Sequence, residues 1–335
     1  MYNICIKYDF IYILCTIYRT ICRKARLHMA RIFIDGSAGT TGLRIRQRLL
    51  ERSDIELITL PEEMRKDENA RRDALNRADV AFLCLPDAAA EEAVAMIEND
   101  HTAVIDTSTA HRTAPGWVYG FPEVGDLRKR ICQSKRIANP GCHASGFIAL
   151  VAPLVRAGLL DADAQLSCFS LTGYSGGGKK MIAEYETEAR DPLLDAPRQY
   201  GLSQQHKHLP EMAAISGLNA PPCFCPIVAD FYSGMEATVP LFASQLRGTP
   251  AQIRELYRET YTGPVVRCVE SPDESGFLSA AALSGSDAME ISISGNDDRI
   301  LLTARYDNLG KGASGAAIQN LNLLLGADET EGLVL

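Results

Sequence analysis

The chain has no CxxC pair, no HExxH motif, a single tryptophan and no excess of basic charge. Without CxxC or a Cys/His cluster there is no sign of a zinc ribbon, a thioredoxin-like dithiol or a structural metal. With 34 Lys and Arg against 42 Asp and Glu, the net charge is -8, which argues against non-specific nucleic-acid binding and against docking on an anionic membrane. No repeat or low-complexity tract is visible. The apolar run from Phe10 to Tyr18 is too short to span a bilayer, and most of its positive charge follows it, the reverse of a secretory signal. Residues 1–28 are expected to be an extension outside the folded protein, with Met29 the start of the globular chain. The ten cysteines are scattered, as in a reducing compartment, so a cytoplasmic protein is expected. Cys223 and Cys225 form a CxC expected to lie in a Pro-rich turn and to serve packing.

What is present is an ordinary soluble composition, 46% hydrophobic over 335 residues, with mass for two domains. Arg31–Ile34 reads as a buried strand running into Gly36-Ser37-Ala38-Gly39-Thr40-Thr41-Gly42 and then an amphipathic helix. Strand, glycine turn and helix are the context of a dinucleotide-binding turn, here spaced GxxGxxG. Gly36, Gly39 and Gly42 let the turn close and the backbone approach a pyrophosphate; Ser37, Thr40, Thr41 and Arg44 can contact phosphates. Further strands are expected at Ile55–Leu60, Val80–Leu85 and Ala103–Asp106, with a helix over Ala88–Ile97. That alternation predicts a parallel α/β sheet. The second strand ends without the acidic residue that would hold an NAD ribose, and Arg65 and Lys66 follow, which favours NADP over NAD. Pro86, after the third strand, is expected to shape the adenosine-side wall.

The second half differs. Leu166–Leu171, Pro226–Phe231, Ala237–Phe242, Met289–Ser294 and Ile300–Tyr306 read as longer, mostly antiparallel strands, with a helix at Pro250–Thr260 and another from about Gly310 to Leu325. The fold class is therefore a Rossmann-type parallel sheet followed by an α+β domain with a mixed or antiparallel sheet.

One pentapeptide carries chemistry. Asn139-Pro140-Gly141-Cys142-His143 puts a cysteine after a turn and before a helical run, Ala144–Val155. A thiol in the positive end of a helix dipole is expected to have a lowered pKa, and the free backbone N–H groups can hold an oxyanion. Gln205-His206-Lys207-His208-Leu209-Pro210-Glu211 offers two imidazoles two residues apart, either of which could pair with Cys142 as acid and base. His143, pointing about 100° away from its neighbour, is expected to help or cap the turn. Arg112, with Ser108 in the loop after the fourth strand, can grip phosphate or carboxylate, as can Asn139 beside the cysteine. Thr172–Lys180 is a glycine-rich basic loop without Walker A spacing; Ser175, Gly176, Gly178 and Lys179 are its anion candidates.

Together the segments GSAGTTGLRI, FLCLPDAAAEEA, IDTSTAHRT, ANPGCHASGFIAL, LTGYSGGGKKMI, QQHKHLPEM, FYSGMEATVPL and DNLGKGASGAAIQNLNLLLG resemble the N-acetyl-γ-glutamyl-phosphate reductase family, in its shorter subtype. The resemblance begins at Met29. It implies an NADP(H)-binding domain over 29–141, joined by the returning C-terminal helix 308–330, and a catalytic and oligomerisation domain over 142–307 of the semialdehyde-dehydrogenase type. It implies NADPH-dependent reduction of N-acetyl-L-glutamyl 5-phosphate through a Cys142 thioester, in arginine biosynthesis. It also implies a homodimer or homotetramer, and it places Asn308, Gly310 and Lys311 near the nicotinamide. Aspartate-semialdehyde dehydrogenase, an aminoadipyl-phosphate reductase and a non-catalytic NADP-binding regulator are the alternatives. The HKHLPE and NPGCHAS segments weigh against the first, the net charge against the second, and the retained Cys142, histidines and Arg112 against the third.

Overall fold

The structure, a computed structural model, describes residues 29–270, 272 and 274–335. The N-terminal extension expected over 1–28 lies outside the described residues.

The first layer assembles from β1 (Ala30–Asp35), α1 (Thr40–Leu50), β2 (Ile55–Ile58), α2 (Glu68–Arg77), β3 (Val80–Leu83), α3 (Asp87–Ala95), β4 (Ala103–Asp106), β5 (Val118–Tyr119), α4 (Leu127–Gln133) and β6 (Arg136–Ala138). The strands form a parallel sheet in the order β2-β1-β3-β4-β6-β5. Every residue of β3 and β4 is buried, because helices cover both faces; this is why these strands read as continuous apolar runs. Asp67 caps α2 by accepting the Ala70 N–H, a start signal without an apolar periodicity behind it, and the sequence reading passes over this helix.

The chain then crosses through α5 (Cys142–Arg156) to β7 (Ser167–Gly173), α6 (Gly178–Glu186), β8 (Arg198–Gln199), α7 (Leu209–Ser216), β9 (Cys223–Ala229), β10 (Met235–Phe242), α8 (Pro250–Thr260), β11 (Val266–Cys268), β12 (Met289–Gly295) and β13 (Arg299–Tyr306). A π-helical turn at Gly310–Ser314 leads into α9 (Gly315–Leu325). The second sheet runs β11-β12-β13-β10-β7-β9-β8. It is mixed, as the expected fold class allows: β10 pairs antiparallel with β7 and β13, and β12 with β13, while β7 with β9 and β11 with β12 are parallel. The CxC lies at the start of β9 rather than in a turn, with Cys223 exposed.

Helix α5 is the spine of the molecule. Residues from His143 to Leu154 are all buried, and the helix packs on β10, β13, α7 and α8. Buried Ala237 and Val239 on β10 and Leu302 and Ala304 on β13, the two strands that pack on it, are each removed from water at roughly 25 cal/mol per Å2 of apolar surface. Gly146 permits the approach: a Cβ there would lie 2.7 Å from the Ala237 Cβ. The opposite face of the sheet leaves Phe169, Leu301 and Phe242 exposed. Helix α9 returns to pack on α4 and β4.

Candidate active site

The carboxyl ends of β1, β3, β4 and β6 deliver four loops to one edge, the edge at which parallel α/β sheets bind ligands. Between these loops and the β7–α6 loop lies a cleft of about 560 Å3. Its walls carry Gly39, Thr40, Thr41, Gly42, Arg112, Asn139, Cys142, His143, Ser175, Gly176, Gly178, Tyr200, His206, Lys207, His208 and Asn308 among others. No carboxylate is among the described residues that line it.

Cys142 opens α5, two residues earlier than the sequence pattern suggests. Pro140 and Gly141 turn the chain, Gly141 is the N-cap, and no side chain caps the helix. The first N–H groups are therefore free for an anion. A Cβ at Gly141 would meet the Arg112 guanidinium at 2.4 Å, Glu211 at 2.5 Å and the His208 ring at 2.6 Å, so only glycine lets these groups close around the turn. Tyr306 braces the helix from β13: its hydroxyl donates to the Cys142 carbonyl at 2.6 Å and accepts the Gly146 N–H at 3.1 Å. Gly312 backs the nucleophile, with a Cβ there only 3.1 Å from the Cys142 Cβ.

The thiol does not behave as the helix terminus alone predicts. Burial pushes Cys142 up from its ordinary value, against the pull of Arg112, the His143 N–H and Lys207. The expected lowered pKa is corrected: desolvation outweighs the helix end.

The histidines gather on one wall. Ring centroids of His206 and His208 are 4.8 Å apart, and His143 lies 5.8 and 5.6 Å from them. They come from a turn leading into α7, not from an extended segment. His143 does not cap the helix. It is fully engaged, Nδ1 with Ser170 Oγ at 2.7 Å and Nε2 with the Tyr200 hydroxyl at 2.6 Å. Its burial drives its pKa down to about 3. The His206 Nδ1 accepts the His208 backbone N–H at 3.3 Å. The His208 Nδ1 is buried with no partner. Burial first, and then the Arg112 charge, hold His208 well below its ordinary range, so it is neutral at pH 7.

Glu211, to which the sequence pattern attaches no role, organises this wall. It accepts Arg112 Nη1 at 2.6 Å, the Tyr119 hydroxyl at 2.6 Å and the Gly141 N–H at 3.1 Å. Arg112 also donates to the carbonyls of Asn139 and Thr107. A buried ion pair with its remaining donors satisfied costs little to retain and much to break.

A second cavity, about 570 Å3, shares Leu85 with the cleft and lies at the carboxyl ends of β1 and β2. Gly36, Ser37, Arg46, Arg65, Lys66 and Arg71 line it. Arg71 pairs with Asp35 at 2.9 Å and Arg65 with Glu62 at 2.6 Å, while Arg46 and Lys66 form no ion pair among the described residues. The turn between the cavities requires its glycines. Gly36 has φ +86°, and a Cβ there would strike the Cys84 carbonyl at 2.2 Å; Gly42 has its Cβ direction blocked by the Gly36 carbonyl at 2.5 Å. Gly39, by contrast, has room for a Cβ, whose nearest neighbour would be the Gly36 carbonyl at 3.6 Å, and it leaves the N-terminus of α1 uncapped. An uncapped helix start behind a tight glycine turn has free N–H groups that can take an anion.

Comparison with known proteins agrees with this geometry. The family model described as "Semialdehyde dehydrogenase, NAD binding domain" matches residues 31–133, and "Semialdehyde dehydrogenase, dimerisation domain" matches residues 142–308. N-acetyl-gamma-glutamyl-phosphate reductase from Brucella ovis is 47% identical over 306 residues, covering 88% of this chain and 99% of its own length. N-acetyl-gamma-glutamyl-phosphate reductase 2 from Pseudomonas putida is 46% identical over 91% of this chain and 100% of its own. The chain belongs to the N-acetyl-γ-glutamyl-phosphate reductase family. It is accordingly an NAD(P)-dependent oxidoreductase with the semialdehyde-dehydrogenase fold. A solved aspartate semialdehyde dehydrogenase II from Vibrio cholerae superposes with TM-score 0.69 at 16% identity, over 89% of this chain and 99% of that one, which speaks to fold alone. The same holds for an aspartate semialdehyde dehydrogenase with NADP from Candida albicans, at TM-score 0.59 and 15% identity, over 89% of this chain and 99% of its own.

In this member of the reductase family several side chains read as ligand contacts lie elsewhere. Ser108 donates to Asp106 Oδ2 at 2.7 Å and closes its own loop. The Lys311 ammonium points away from the cleft, bound to both Glu123 oxygens at 2.8–2.9 Å and to Gln319 beneath the Phe121 ring. Gly310 packs on Asp287 and the Ser286 carbonyl. Lys179 is exposed, Arg44 is half-buried on α1, and Pro86 is the N-cap of α3; none of the three lines either cavity. The Asn139 amide is spent within the protein, donating to Ala313 O and accepting from Asn320. Ser175 accepts from Asn308, and Asn308 accepts the Gly234 N–H, which ties the β7–α6 loop to the end of β13. Tyr200 and Tyr306 were not legible beforehand; each meets the site only through sheet packing.

Proposed function

We propose that this chain reduces N-acetyl-L-glutamyl 5-phosphate to N-acetyl-L-glutamate 5-semialdehyde with NADPH and releases phosphate. The observation that carries the reading is Cys142, free at an uncapped helix start, with the neutral His208 against the preceding residue, its Nδ1 without a partner and its Nε2 4.0 Å from Glu211 Oε1. The identity to reductases of that name supports it.

The residues fit a nicotinamide dinucleotide. Gly36, Ser37, Gly39, Thr40, Thr41 and Gly42 form the pyrophosphate cradle, and Arg46 and Lys66 supply unpaired cations for a 2′-phosphate, which supports NADP over NAD. When bound, NADPH supplies the hydride that reduces the thioester carbon.

The chain's own groups do the rest. His208 takes the Cys142 proton as Sγ attacks the acyl carbon, and the C–O bond to phosphate breaks with its electron pair leaving on phosphate. Arg112 and the helix N–H groups hold the negative charge on the carbonyl oxygen. After reduction the thiohemiacetal oxyanion collapses, the C–S bond breaks, aldehyde departs, and His208 returns its proton to the sulfur. His206 braces His208 through its backbone.

Two copies paired through the exposed face carrying Phe169, Pro240 and Leu301 belong to this reading, as do the division of the chain at Cys142 and a cytoplasmic setting. The described residues contain no helix long and apolar enough to cross a membrane. The test is reverse turnover: NADP+ reduction with N-acetylglutamate semialdehyde and inorganic phosphate, against aspartate semialdehyde and NAD+. Phosphate-dependent turnover of the acetylated substrate supports the assignment. Turnover of aspartate semialdehyde alone overturns it.

A further inference from the structure

Two cations line the catalytic cleft among the described residues, Arg112 and Lys207, and their situations differ. Arg112 is buried and its charge is met by Glu211 at 2.6 Å, with Nε and Nη2 donating to backbone carbonyls. Lys207 is exposed to the cleft and has no ion pair among the described residues. A cleft wall with no carboxylate and one unmatched ammonium is built for an anion. Lys207 stands between His206 and His208, in the same turn as the proposed base. Its charge reaches Cys142, His143, His206 and His208, and also Asp87 at the start of α3. Lys207 and Arg112 thus both act on the thiol.

The substrate class proposed above carries two anions. Its carboxylate sits several bonds from the reacting carbon; its phosphoryl group is bonded to that carbon through one oxygen. The anion beside the thiol and its base is therefore the phosphoryl group. An ammonium is a compact point charge on a flexible stem, suited to a tetrahedral anion that must leave. Resting on that functional reading, we propose that Lys207 is the phosphate-binding residue: it holds the phosphoryl group of the acyl phosphate while Sγ attacks, and takes the charge that passes to phosphate as the C–O bond breaks. In the reverse direction it holds inorganic phosphate as a phosphate oxygen attacks the thioester carbon and the thiolate leaves.

Steady-state kinetics of the reverse reaction, varying phosphate and then semialdehyde in the wild type, Lys207→Ala and Lys207→Arg, test this. The expected result is a ten- to hundredfold rise in the KM for phosphate in Lys207→Ala, a KM for semialdehyde within twofold, and substantial recovery in Lys207→Arg. An unchanged KM for phosphate, or a rise confined to the semialdehyde, overturns it. A second measurement needs no turnover, so it separates this inference from the substrate assignment. Inorganic phosphate should slow iodoacetamide alkylation of Cys142, followed by peptide mass mapping because the exposed Cys132 and Cys223 react too. Protection in the wild type and its loss in Lys207→Ala support the role. Equal protection in both, or none in the wild type, contradicts it.

Discussion

The Tyr306 hydroxyl sits between the two backbone groups of the first turn of the nucleophile helix, donating to the Cys142 carbonyl at 2.6 Å and accepting the Gly146 N–H at 3.1 Å. A residue at the end of the last strand thereby fixes the backbone of a residue 164 positions earlier. Tyr306 does not line the cleft; it positions Cys142. Removing the hydroxyl leaves a buried carbonyl without its donor, a loss of about 1–3 kcal/mol. Tyr306→Phe should lower kcat about tenfold or more with KM values within twofold, while the fold persists by circular dichroism. Lost stability with an unchanged kcat would reduce Tyr306 to a packing residue.

Glu211 holds Arg112, Tyr119 and the Gly141 N–H at once. Glu211→Ala strips a buried guanidinium of its counter-charge, and pairs of this kind cost about 3–5 kcal/mol when one partner is removed. Urea unfolding should show a loss in that range. Glu211→Gln, which keeps hydrogen-bonding capacity without the charge, should lose less stability yet still impair turnover, because an uncompensated Arg112 further disfavours protonation of His208 as it takes the thiol proton.

Cys142 is held protonated by burial in the free enzyme. Its alkylation by iodoacetamide should therefore be slow at pH 7 and rise about tenfold per pH unit to beyond pH 9. Arg112→Ala removes a charge that favours the thiolate and should move the rise to still higher pH. A plateau below pH 7 would show that the helix terminus governs after all.

His143 gives a pH-dependent stability of defined sign. Its pKa is about 3 in the fold against 6.5 for an unperturbed histidine. Between those values the unfolded chain binds the proton and the native one does not, so stability falls as pH drops from 6.5 toward 3, by up to about 1.4 kcal/mol per unit. Chemical denaturation from pH 7 to 4.5 should show a steeper loss in the wild type than in His143→Gln.

In the second cavity, Arg46 and Lys66 are the cations without an ion pair among the described residues. Replacing both by Ala should raise the KM for NADP+ at least tenfold and leave that for NAD+ within twofold. Equal effects on both cofactors would remove the 2′-phosphate assignment.

The parts legible in the sequence were those fixed by local stereochemistry. The Gly36–Gly42 turn is readable because Gly36 and Gly42 have no substitute, and the Pro140-Gly141-Cys142 start of α5 because a turn meets an apolar run. Strands as short as Val118–Tyr119 and Arg136–Ala138 carry no period to read. Lys311 was placed near the nicotinamide by the family resemblance; only the tertiary structure shows its ammonium turned to Glu123. Glu211 and Tyr306 acquire their roles from partners 70 and 164 residues away, and no local pattern records such a meeting. The desolvation that raises Cys142 is likewise a property of the packed site rather than of its motif.

The central claim, a covalent acyl group on Cys142, is tested most directly by supplying N-acetylglutamyl phosphate, generated in situ by a kinase, without NADPH. The account predicts about one phosphate released per active site and a mass increment of one N-acetylglutamyl group on the peptide containing Cys142, both absent in Cys142→Ser. Phosphate release that waits for NADPH, or an unmodified Cys142 peptide after release, would contradict it.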